Sequence, residues 1–247
     1  VRLFVSIGVI GVLLSACKGP AGPALSGTWQ GFAYLHDEYG APVVTDSNIF
    51  VTALPTAKTS QTLDNGLYSF ESLSTGVYTL RFNATDVGTY VLANQQFVGG
   101  GTVNLPGVNL GKVSTGVMGA LAFTANAAGD TIIATGSITP PPPGVPRYAR
   151  FFFDATSNVG GTAVSNWTVT LPANGPPYAI ANANFAIVIT GQDLRALQHA
   201  FASGVTVNAI GYGESYFENS YPDPTTGKPT FPNLCSQASP AVTFTMP

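Results

Sequence analysis

Charge is what this sequence has least of. Only 9% of its 247 residues are Asp, Glu, Lys or Arg, against roughly a quarter in an ordinary soluble chain. The two signs nearly cancel, leaving −3 overall. No basic stripe occurs, so nucleic acid has no electrostatic footing and is excluded as a partner. Histidine and cysteine number two each, too little nitrogen and sulfur to expect a transition-metal centre or a metal cofactor. The apolar run near the start stops well short of the roughly 20 residues of a membrane-spanning helix.

Apolar residues, by contrast, make up 45% of the chain, beside 28 glycines and 19 prolines. That is enough to build cores, and the punctuation is as dense as many short strands joined by turns require. Solubility is left to Ser, Thr, Asn and Gln. The length suits two ordinary domains or one large one.

The stretch "LLSACKGPAGPALSGTWQG" changes character three times. Arg2 precedes an apolar run at 3–14, followed by small residues, the pattern of a secretory signal. Leu14-Ser15-Ala16-Cys17 resembles a bacterial lipobox. The resemblance implies a signal peptide at 1–16 and lipidation of Cys17 by palmitate-like chains. Several acyl chains anchor firmly where one binds only marginally. Lys18 stands where an Asp would imply inner-membrane retention, so the expected place is the outer membrane of a bacterial envelope, on its periplasmic or its surface face. The Gly/Pro-rich segment at 17–26 reads as a stiff tether; its two collagen-like triplets are too few for a triple helix.

From Trp29 the apolar residues alternate with period two. "TWQGFAYL" puts Trp29, Gly31, Ala33 and Leu35 on one face, Phe32 and Tyr34 on the other. Asp64-Asn65-Gly66 tolerates the positive φ of a tight hairpin. Tyr68 and Phe70 then share a face, as do Tyr78, Leu80 and Phe82. This D-N-G turn, Y-x-F, L-x-x-G-x-Y-T-L pattern resembles the carboxypeptidase regulatory-like, transthyretin-like β-sandwich family over residues 27–110. The resemblance implies an accessory fold without peptidase activity, here assigned to 27–111. Asp64 and Asn65 supply too few oxygens for calcium, and His36-Asp37-Glu38 lacks a second imidazole.

Residues 112–247 read as a second, immunoglobulin- or fibronectin-III-like sandwich. "GVMGALAFTAN" and "DTIIATGSI" are strands around a turn at 126–130. "RYARFFFD", "NWTVTL", "NFAIVIT", "VTVNAIGYG" and "AVTFTMP" are further strands. The prolines at 140–143 exclude a central strand there. Thr190 with Asp193 resembles a capping box, and Leu194, Leu197 and Phe201 recur at helical spacing, so one short helix crosses between the sheets. His199 falls off that stripe. Cys235, without a partner once Cys17 is lipidated, reads as a buried small apolar residue.

Function is least legible. Residues 211–233 gather Tyr212, Tyr216, Phe217, Tyr221 and Phe231 with Glu214, Glu218, Asn219 and Asp223 in what should be largely loop. The aromatics either seal the open end of the sandwich or offer a platform to a sugar ring or protein partner; on the second reading Tyr212, Tyr216, Phe217 and Tyr221 bind ligand. Glu214 and Glu218 do not by themselves make a glycosidase pair. Asp130-Thr131-Ile132 matches a short O-glycosylation motif of some Bacteroidetes. The leading expectation is an all-β, non-enzymatic, lipid-anchored envelope protein with a structural or binding role. Its rivals are a carbohydrate-binding or adhesin module using 211–233, and a hydrolase.

Overall fold

The computed structural model describes residues 25–160, 167–224 and 226–247. The expected signal peptide, Cys17 and most of the tether lie outside the described residues.

Trp29 fixes the first layer. Strand Ser26–His36 is the centre of a four-stranded sheet. It pairs antiparallel with Leu67–Ser74 on one side, and parallel with Thr102–Asn104 and Val108–Gly111 on the other. The period-two pattern holds residue by residue. Trp29 and Ala33 are fully buried, whereas Phe32 and Tyr34 stack on the outer face with ring centroids 6.0 Å apart. A second sheet runs in the order Lys58–Gln61, Phe50–Leu54, Gly76–Ala84, Val87–Phe97. Tyr78, Leu80 and Phe82 point from it into the same core as Tyr68 and Phe70.

The Asp64-Asn65-Gly66 turn differs from its expected role. Gly66 does hold φ +82°, and Asn65 Oδ1 accepts from Leu67 N at 3.1 Å. The strands on either side, however, belong to opposite sheets, so the turn carries the chain across the sandwich rather than closing a hairpin. The neighbouring turn at Thr75 does the same. A Cβ at residue 66 would lie 2.4 Å from Ala33 O, so glycine serves close approach as well as dihedral freedom.

A second core occupies residues 118–246. Ala122–Ala125, Ile132–Thr139 and Asn184–Ile189 form one sheet, with Val117–Met118 beside Ile132–Thr139. Facing it, Arg147–Asp154 pairs with Thr206–Glu214, which pairs with Val242–Thr245. Val169–Leu171 and Tyr178–Ile180 complete that sheet. The architecture is all-β, built of packed sheets with one short helix, as the strand pattern implied.

Helix Gly191–Ala200 links the two layers and buries Leu194 and Leu197. Its expected capping box does not form. Thr190 is the N-cap residue but makes no side-chain cap bond. Asp193 instead accepts from Ala173 N at 2.8 Å and from the Tyr178 hydroxyl. Tertiary donors compete for a carboxylate that local spacing assigns to the helix end. His199 is exposed, as its place off the apolar stripe requires.

Three consecutive phenylalanines show how the second unit is covered. Phe151, Phe152 and Phe153 are all fully buried. Successive strand residues face opposite ways, so both faces of Arg147–Asp154 must be dry. Phe151 and Phe153 enter the main core, while Phe152 enters a separate cluster with Val159, Trp167, Tyr212, Phe231 and Leu234. Aromatic residues of 211–233 therefore close the outer face of a sheet, not the open end of the sandwich. That segment is also more regular than expected. Its first residues finish strand Thr206–Glu214, and Tyr221–Pro222 pairs with Pro229–Thr230.

Candidate functional site

The segment 211–233 links the two cores, and its side chains divide into three groups. In the first group, Tyr212 packs edge-on to Phe152 at 5.5 Å, beside Phe231 at 5.7 Å from the same ring. Arg150 lies 4.2 Å above the Phe231 ring. Its Nε donates to Glu214 Oε2 at 2.7 Å, its Nη1 to Pro172 O at 3.1 Å, and its Nη2 to Glu218. Glu214 is 1% exposed and its Oε1 has no hydrogen-bond partner. Burial pushes its pKa up to about 7; Arg150 opposes this and Glu218 adds to it. The two carboxylates share one arginine.

The second group joins the units. Tyr216 N donates to Glu38 O at 3.0 Å, and the Tyr216 ring rests between Tyr148 and Phe217. Phe217 covers His36 at 4.4 Å. Asn219, at φ +49°, accepts from Gly111 N at 2.9 Å and donates to Asn109 O at 2.7 Å. Asn233 donates to Phe217 O and to Asn219 Oδ1, and accepts from Gly88 N at 3.0 Å. The backbones meet at Gly88, where a Cβ would come within 2.1 Å of Pro232 O.

Glu38 completes this junction from the first unit. It accepts from Arg147 Nη1 at 3.0 Å and from Thr115 N and Oγ1, both at 2.7 Å. Burial raises its pKa, but the Thr115 bonds and the Arg147 charge outweigh that and hold it below the ordinary carboxylate value.

The third group forms a cleft. The Tyr221–Pro224 stretch stands against the outer face of the second sheet of the first unit. Between them lies a space of about 540 Å³ reached by Leu54, Thr79, Arg81, Val91, Asn94, Tyr221 and Asp223.

The sequence-derived candidates thus part company. Tyr212 is 5% exposed inside a core cluster, Tyr216 and Phe217 pack at the junction, and Tyr221 alone of the four lines the cleft. His36 is half-buried beneath Phe217, and Cys235 is 5% exposed. Among the described residues no group of three or more His, Cys, Asp or Glu could hold a metal ion, and no helix is long and apolar enough to cross a membrane. Arg81, Arg147 and Arg150 escaped the sequence reading, and Glu38 entered it only within His36-Asp37-Glu38, not as the partner of an arginine. A signal existed for Arg147 and Arg150: two of only nine basic residues stand in "RYARFFFD", an otherwise apolar strand, where a charge demands a buried partner.

No family model matches the chain, and no curated protein matches it. Among solved structures it is similar to a proposed carbohydrate-binding protein from Bacteroides uniformis, at 16% identity over 90% of this chain and 99% of that one, with a TM-score of 0.32. It is similar to a DUF3823 family protein from Bacteroides ovatus at 12% identity over 91% and 100%, with a TM-score of 0.27. A type II cohesin–X-dockerin complex from Acetivibrio cellulolyticus aligns at 18% identity over 34% of this chain and 56% of that one, with a TM-score of 0.30. Likenesses of this size say nothing of ligand or partner; the all-β architecture stands on the strand pairing described above.

Proposed function

We propose that this chain is a non-enzymatic protein of the bacterial cell envelope, anchored in the outer membrane by acyl chains on Cys17. Its transthyretin-like first unit and immunoglobulin-like second unit serve a binding or structural role. One observation carries the non-enzymatic part of this reading: the carboxylates, imidazole and thiol around the 211–233 segment are already employed in holding the fold. Glu214 and Glu218 share Arg150, Glu38 pairs with Arg147, His36 lies under Phe217, and the Cys235 thiol is buried. A general base or nucleophile must instead be free to reach a substrate. The Leu14–Cys17 lipobox-like segment supports the anchor.

Metabolic labelling with an alkyne fatty acid tests the anchor. The wild-type chain should take up label and fractionate with membranes, and Cys17→Ala should lose both. Label retained by Cys17→Ala would refute the anchoring. The binding role has its own support in the cleft at Tyr221, which is walled, open to solvent and outside both cores.

A further inference from the structure

The floor of that cleft is set by strand periodicity. Tyr78, Leu80 and Phe82 turn inward, so Thr79 and Arg81 turn out. In the ladder Leu54 pairs with Thr79, and Val91 pairs with Arg81. Two short apolar side chains thus flank a hydroxyl and a guanidinium on one pleated surface.

The wall is equally well held. Tyr221 pairs with Thr230. Asp223 N donates to Lys228 O at 2.8 Å, and Asp223 Oδ1 accepts from Thr226 N at 2.7 Å. Arg81 and Asp223 both act on the half-buried Tyr221 phenol, whose pKa is raised first by burial, with Arg81 opposing and Asp223 adding. Floor and wall enclose about 540 Å³, inside the range of about 300–1,000 Å³ usual for small-molecule sites.

Arg81 differs from the other two arginines of the strands. Arg147 and Arg150 are engaged by carboxylates, whereas the Arg81 side chain is exposed and makes no hydrogen bond or ion pair with another described residue. A planar guanidinium fork matches a carboxylate. The nearby Asp223 carboxylate disfavours a multiply charged phosphate, which would call for more than one cation. Leu54, Val91 and the Tyr221 ring suit the C–H faces of a pyranose, and Thr79 and Asn94 suit its hydroxyls. A peptide added as a strand would pair with a sheet edge, here Val87–Phe97, whereas Thr79 and Arg81 stand on the sheet face.

The geometry points to the cleft between Arg81 and Tyr221 as a binding site for a carboxylate-bearing sugar, with Arg81 taking the carboxylate and Tyr221 covering the ring. This rests on the reading of the chain as a binding protein and is independent of the Cys17 anchor.

Titration calorimetry on the purified full chain tests it. The probes are galacturonate, glucuronate and N-acetylneuraminate disaccharides, their carboxyl-reduced counterparts, and a hexapeptide with a free C-terminal carboxylate. At least one acidic disaccharide should bind, and its reduced form should bind about tenfold or more weakly, the loss expected for one charge-assisted contact. Arg81→Gln should weaken binding by a similar factor, and Arg195→Gln, on the distant helix, should not. Because Arg81 is exposed, its variant should fold; amide shifts on titration should also centre on residues 79–81 and 221–223. Silence across the acidic sugars at roughly millimolar concentration, equal affinity for the reduced forms, binding by the peptide alone, or indifference to Arg81→Gln would each overturn the assignment. If the sugars fail while fatty-acid labelling at Cys17 succeeds, this inference falls and the anchored-protein reading stands.

Discussion

Glu38 of the first unit meets Arg147 of the second at 3.0 Å, with side chains 12% and 4% exposed. Two charges 109 residues apart meet here, one in the turn after Ser26–His36 and one on strand Arg147–Asp154, and Thr115, from the short connection between the units, donates twice to the same carboxylate. Desolvation offsets much of the pair's Coulomb attraction, so its net contribution to stability is smaller than its short distance suggests.

Breaking that pair from one side should be costly. Glu38→Ala strands a buried guanidinium, whose Nε already lacks a partner, and should destabilise the protein by about 3–5 kcal/mol. Urea denaturation followed by tryptophan fluorescence checks this, since Trp29 and Trp167 report from different clusters. Unchanged stability would show that Arg147 finds solvent or another partner.

The approach at Gly88 predicts a steric effect. Gly88→Ala places a methyl 2.1 Å from Pro232 O and must displace the Asn233 bond to Gly88 N. The loss should be about 1–3 kcal/mol, with faster amide exchange at 217–219 and 231–233. Exchange confined to residue 88 would mean that the chain around Pro232 yields freely.

Stability should depend on pH through two carboxyl groups whose pKa values are shifted in opposite directions. Glu214 has a pKa pushed up to about 7 by burial. Its protonation therefore stabilises the fold fully below the unfolded value of about 4.3, and that contribution is lost as pH rises through about 7. Glu38 is held below its ordinary value, so its contribution is present above about pH 4.3 and lost as pH falls. Melting temperature should peak in the mildly acidic range between these limits. Glu214→Gln should flatten the decline on the alkaline side while leaving the acid side intact; an unaltered alkaline limb would contradict the assignment.

Asp193 should matter to tertiary structure rather than to the helix end it occupies. Asp193→Ala removes the acceptor for Ala173 N and the Tyr178 hydroxyl, at a cost of about 1–3 kcal/mol. Thr190→Ala should cost about a few tenths of a kcal/mol at most, because its hydroxyl makes no cap bond. A reversed order in thermal melts would restore the local capping box.

The Cys235 thiol should resist labelling in the native state. It is 5% exposed and its backbone N donates to Gly213 O at 2.8 Å. Reaction with a maleimide should be slow until denaturant is added; rapid native labelling would show that the cover over the second sheet opens.

Alternation along Ser26–His36, the apolar residues of Gly76–Ala84 and the stripe of the single helix were legible because each depends on neighbours a few positions away in the chain. Period two or 3.6 decides which side chains point together, wherever the element ends up. Only the tertiary structure decided which layer each strand joined, and so turned the Asp64-Asn65-Gly66 hairpin into a crossover. It also decided that Tyr212 belongs to a core, that Arg150 serves both Glu214 and Glu218, and that Arg81 faces Tyr221 across a cleft from 140 positions away. Such pairings depend on burial and on which partner is nearest in space, and no local periodicity encodes either.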